Sequence, residues 1–97
     1  MIKFMKFGNI YIIEEDIKMT QAQKELLYKI ADLHSGQFYL NMKDNWSDND
    51  YSQDKQYTKE ILTAENEYIQ IYGPLPVWDS IDDVFQAKKE LKAELGL

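Results

Sequence analysis

Few residues in this sequence have types and spacing suited to chemistry. The single histidine, His34, is the natural general base or metal ligand. A catalytic histidine needs a nucleophile and an orienting partner, and no motif around His34 supplies either. Its place in the last turn of a predicted helix offers a plainer role, a favourable charge–dipole contact at the helix C-terminus.

The second place is residues 48–54 (DNDYSQD), which alternate oxygen-bearing side chains as a calcium loop does. That loop needs glycine at its sixth position and a bidentate glutamate at its twelfth. Counted from Asp48, those positions hold Gln53 and Lys59. An ammonium where a carboxylate should close the cage leaves no metal site. The expectation is a solvated loop that caps the helix after it.

Phosphate-binding and hydrolase motifs are missing as well. The four glycines, at positions 8, 36, 73 and 96, all fall at turns or helix ends, and none remains to cradle a phosphate. No carboxylate pair has an apolar setting that would raise one pKa. The residues therefore point to no catalytic site, no cofactor and no metal, and the chain is not expected to be an enzyme.

Charge and aromatics point to a binding role instead. The formal net charge is -6. Residues 44–87 hold ten carboxylates against Lys55 and Lys59, for -8, so this segment alone exceeds the whole. A concentration of this kind can steer a basic partner, or form a solvated face that serves solubility. Trp and Tyr are favoured anchors at interfaces, which singles out Trp46 and Tyr51 beside Asp44, Asp48 and Asp50 as the candidate partner-binding residues. Trp78, among apolar neighbours, reads as a lid over the core. All eleven basic residues are lysine. Without the arginine fork that reads phosphate and guanine, and with a negative net charge, direct nucleic-acid binding is not expected.

Three function classes fit this pattern. The first is a small acidic accessory or inhibitory factor that binds a protein partner without catalysis. The second is a nucleic-acid mimic of the phage anti-defence type, with carboxylates standing in for phosphates in the groove of a DNA- or RNA-handling enzyme. The third is a small self-associating structural subunit.

The elements that must position these residues follow from periodicity. Thr20 and Gln23 form a T-x-x-Q capping box. Ala22, Leu26, Leu27, Ile30 and Leu33 then make an apolar stripe, and Gly36 stands where a helix-ending glycine belongs. This predicts a helix over about 20–35, with residues 37–42 (QFYLNM) alternating like a strand. A polar loop over 43–53 leads to a second helix, about 53–72, ended by Gly73 and Pro74. After an extended connector, Ser80 and the first-turn acids Asp82 and Asp83 start a third helix, about 80–95, closed by Gly96. Leu26, Leu27, Ile30, Ile61, Tyr68, Phe85 and Leu91 are the expected core. At the N-terminus, Ile2, Phe4 and residues 10–13 (IYII) flank Gly8-Asn9 as a hairpin would.

The expected class is therefore α+β and mainly helical: one small domain over 1–97, three helices with a short N-terminal hairpin. Met19 immediately precedes the Thr20 cap, so a start at Met19 rather than Met1 or Met5 would keep all three helices and leave residues 1–18 as an accessory. There are no cysteines, so disulfides are excluded. No apolar run reaches the roughly 20 residues of a membrane span. The first residues read poorly as a signal peptide, with Glu14-Glu15-Asp16 where small cleavage-site residues belong. The expected location is the cytosol.

Overall fold

The computed structural model describes residues 19–97. Their regular structure consists of three helices: α1 Gln21–Asn41, α2 Asp48–Tyr72 and α3 Ile81–Leu95. Among the described residues there is no strand, which corrects the α+β expectation to an all-helical one. The expected hairpin lies outside the described residues.

Helix α1 begins where its cap predicts, with the Thr20 hydroxyl accepting from the Gln23 N–H at 3.1 Å. The reciprocal half of the box does not form. The Gln23 side chain instead donates to the Tyr68 hydroxyl at 2.9 Å and ties α1 to α2. The helix does not stop at Gly36. It continues through Asn41, so residues 37–42, read as a strand, complete α1 and its C-cap. The reason is tertiary. A Cβ on Gly36 would lie 2.7 Å from the Tyr57 hydroxyl and 2.9 Å from its ring. Gly36 is thus a close-approach residue inside the helix, where the missing side chain admits the ring of a neighbour.

Helix α2 begins five residues before the predicted start. Ser47 is its N-cap and Asp50 its third residue, and they form a complete capping box. The Asp50 N–H donates to the Ser47 hydroxyl at 3.3 Å, and the Ser47 N–H donates to the Asp50 carboxylate at 2.9 Å. The usual signature carries Glu or Gln at the third position; aspartate does the same work here. The predicted loop over 43–53 shrinks to residues 42–47. Helix α3 follows its predicted signals, from the Ser80 cap to Gly96, whose φ of 75° is the left-handed C-cap conformation.

Side-chain pairs set the topology. Gln23 meets Tyr68 and Gln37 meets Asp54, so α2 runs antiparallel to α1. Lys24 pairs with Glu94 at 3.0 Å and Asp32 with Lys88 at 2.8 Å, so α3 is antiparallel to α1 as well. Helices α2 and α3 are therefore parallel to each other, and residues 73–80 carry the chain back along α1. Both pack on α1 and not closely on one another. The result is a rod of 49 × 24 × 24 Å.

The core lies along α1. Leu27, Ile30, Ala64, Tyr68 and Leu91 form one buried cluster, with Leu26, Leu33 and Trp78 packed against it. Of the expected core, Leu27, Ile30, Ile61, Tyr68 and Leu91 are buried, while Leu26 and Phe85 are half-buried. Ile30 is fully enclosed, a burial that contributes about 1.5–3 kcal/mol. Lys88 reaches across from α3 to Asp32 and to the hydroxyl of buried Ser35, 3.2 Å away. The Asp32 hydrogen bond holds the Lys88 ammonium above the ordinary lysine pKa, against the opposing effect of burial.

Candidate functional site

The candidate partner-binding residues sit where α1 ends and α2 begins. The turn at 42–47 is short because both helices run further than their apolar periodicity indicates. Asn45, at φ 55°, takes the left-handed conformation that lets the chain reverse; asparagine accepts it more readily than most residues.

Trp46 is anchored in this turn. Its indole N–H donates to the Leu40 carbonyl at 3.1 Å, joining the Lys43 N–H on the same oxygen and tying the turn to the end of α1. Its ring meets Tyr51 edge-on, with centroids 5.0 Å apart and planes at 73°. That geometry suits the quadrupoles of two aromatic rings. Trp46 is half-buried, and Tyr51 is 58% exposed. The pair therefore presents a tyrosine face braced from behind.

The three acids separate into two kinds. Asp44 and Asp48 are exposed. Asp50 is only 4% exposed and fully engaged. One oxygen accepts from the Ser47 N–H, and the Lys43 ammonium lies 3.1 and 3.0 Å from the two oxygens. The Ser47 amide, followed by the Lys43 hydrogen bond, holds the Asp50 carboxyl below the usual carboxylate range. Asp50 thus builds the turn from within, and Asp44 and Asp48 carry its solvent-exposed charge.

Seven of the ten acids of the middle segment, all but Glu60, Glu65 and Glu67, stand at this end of the rod, because α2 and α3 both start there. Asp54 accepts from the Gln37 side chain at 3.0 Å, and Asp83 accepts from the Asp79 N–H at 2.9 Å. Asp82 and Asp79 are exposed. Carboxylates at two helix N-termini complement the helix dipoles, so part of the charge has a structural reason that composition alone does not show.

Residues 48–54 are helical from Asp48 onward, so their oxygens do not form a loop around a common centre. Among the described residues no group of three or more His, Asp or Glu stands close enough to hold a metal ion.

His34 has a partner that local sequence did not indicate. Its Nε2 lies 2.9 Å from a Glu65 carboxylate oxygen on α2, 31 positions away in the chain. Because α1 continues to Asn41, His34 is not in the last turn, and the helix-dipole role expected for it gives way to this pair. Its ring also meets Trp78 edge-on at 6.5 Å.

Comparison of the chain with protein-family models, with curated proteins and with solved structures finds no match. Among the described residues no helix is long and apolar enough to cross a membrane.

Proposed function

We propose that this chain is a small, acidic, non-catalytic factor of the cytoplasm, accessory or inhibitory to a protein partner with a basic face. The supporting observation is Tyr51, largely exposed and braced by the anchored Trp46, with Asp44 and Asp48 exposed on the same turn and helix start. The two parts do different work. Exposed carboxylates raise the association rate over distances up to about a Debye length, roughly 8–10 Å at ordinary salt. A pre-positioned aromatic pair then supplies desolvated contact with little ordering entropy left to lose.

Nucleic-acid mimicry has less support from the same geometry. Asp50 and Asp54 already hold part-buried hydrogen bonds within the fold, which thins the array that would imitate phosphates. Self-association draws on Leu62 and Ile69, exposed seven residues apart on one stripe of α2; light scattering over a concentration series tests it directly.

Site-specific photocrosslinking tests the main reading. A photoreactive phenylalanine at position 51 should give one dominant adduct in extract of the source cell. Changing Asp44 and Asp48 together to Asn should suppress it, and the same label at Lys92, near the other end of the rod, should give none. An adduct that forms equally from position 92, or survives loss of both acids, contradicts the proposal.

A further inference from the structure

A second recognition feature lies on the flank of the rod. His34 of α1, Glu65 of α2 and the connector before α3 enclose an open cleft of about 400 Å³. Trp78 and Asp79 come from the connector, and Ile81 and Val84 from the start of α3. A tryptophan, two acidic residues and two aliphatic residues thus line one space.

We infer that this cleft receives the guanidinium side chain of an arginine presented by the protein partner. The source of that arginine rests on the protein-binding reading above; the chemistry of the cleft does not. Guanidinium is planar, weakly hydrated and able to stack on an indole while its fork bonds carboxylate oxygens. Trp78 offers the ring. Glu65 uses one oxygen on His34, and an ionised carboxylate has lone pairs for further donors. Asp79, exposed at the rim, offers a second. The methylene stem of an arginine suits Ile81 and Val84.

The competing occupants fit less well. An anion would face Glu65 and Asp79. The start of α3 does not invert that preference, because its amides are capped by Ser80 and flanked by Asp82 and Asp83. A purely apolar group would desolvate the carboxylates without pairing them, which is unfavourable. An ammonium is a compact, strongly hydrated charge that stacks poorly. The chain contains no arginine of its own, so neither an internal side chain nor a second copy can supply the guanidinium.

The test is an NMR titration of the full chain with the peptide acetyl-Gly-Gly-Arg-Gly-Gly-amide, against the same peptide carrying citrulline or lysine. Saturable shifts of the Trp78 indole N–H and the His34 ring are expected with arginine, weaker ones with lysine and none with citrulline. Glu65→Gln keeps the shape and a hydrogen bond to His34 but removes the charge, and should weaken binding about tenfold. Asp79→Asn, at an exposed position, should weaken it about threefold if it loses an exposed ion pair of ordinary strength, and carries the test if Glu65→Gln disturbs the fold. Equal shifts with citrulline overturn the inference. So do shifts spread evenly over Asp44, Asp48 and Asp82 that neither variant changes. Either result leaves the Tyr51 crosslinking experiment untouched, and a failed crosslink leaves the arginine titration intact.

Discussion

Replacing Gly36 with alanine separates two accounts of how α1 ends. If Gly36 closed the helix in a left-handed conformation, alanine there would cost roughly 1–2 kcal/mol whatever surrounds it. In the structure Gly36 is interior to a continuous helix. Alanine should then gain about 1 kcal/mol of helix propensity. Against this stands the Tyr57 ring, with the new Cβ 2.7 Å from its hydroxyl, 2.9 Å from Cε1 and 3.0 Å from Cζ. The ring is rigid, so it must move as a unit or push α2 away. Overpacking of this kind costs about 1–3 kcal/mol. The net expectation is a loss of about 0–2 kcal/mol, the propensity gain subtracted from the overpacking cost. In a Tyr57→Ala background the obstruction is gone, and Gly36→Ala should become stabilising by about 1 kcal/mol. The coupling between the two positions is then about 1–3 kcal/mol, within the range for side chains in contact. Urea denaturation of the four proteins measures it, given unchanged m-values. The same loss for Gly36→Ala in both backgrounds would refute the reasoning and end α1 at residue 36.

Other expectations follow from the same contacts. Ile30→Ala should lose about 2–5 kcal/mol in urea denaturation, since Ile30 is wholly enclosed and truncation leaves a cavity; a change within about half a kcal/mol would show an exposed position. The Asp50 carboxyl is held below its ordinary value of 3.8, so its stabilisation is present above the unfolded-state pKa and lost as pH falls through the lower folded one. Asp50→Asn should therefore flatten the acid limb of a stability–pH curve, and an unchanged limb would show that the Ser47 and Lys43 bonds do not matter. Calcium should leave the melting temperature unmoved, because a ligand of the native state would raise it by mass action; a saturable rise would reinstate residues 48–54 as a metal site.

What could be read from the sequence was local. Thr20, Ser80 and Gly96 act within a few residues of themselves, and α1 starts and α3 starts and stops where they indicate. The apolar faces of α1 and α2 place Leu27, Ile30, Ile61 and Tyr68 in the interior as their spacing requires. What could not be read depends on contacts across the fold. Gly36 resembles a helix stop until Tyr57 is brought against it from 21 positions away. Gln23 resembles half a capping box until the Tyr68 hydroxyl comes within 2.9 Å. His34 lacks a partner until α2 delivers Glu65. The early start of α2 is a different case. Ser47 and Asp50 are three apart and entirely local, but an aspartate in place of glutamate, inside a stretch rich in Asn and Asp, resembles loop more than helix.

The same distinction decides how the charge of the middle segment should be understood. Composition counts carboxylates equally, and a tally of -8 over residues 44–87 suggests one uniform negative surface. Folding divides them by what they touch. Asp50 completes the capping box of α2, Asp83 holds the Asp79 N–H ahead of α3, Asp54 holds Gln37, and Glu65 holds His34. The exposed acids at this end, Asp44, Asp48, Asp79, Asp82 and Asp83, stand at the turns and helix starts, where backbone geometry fixes their positions. Under the proposed binding role, a partner would meet a small set of well-placed charges flanking Tyr51 and the Trp78 cleft. Recognition by such a surface depends on where a few basic groups lie on the partner. That geometric demand favours docking on one protein over diffuse attraction to any basic surface.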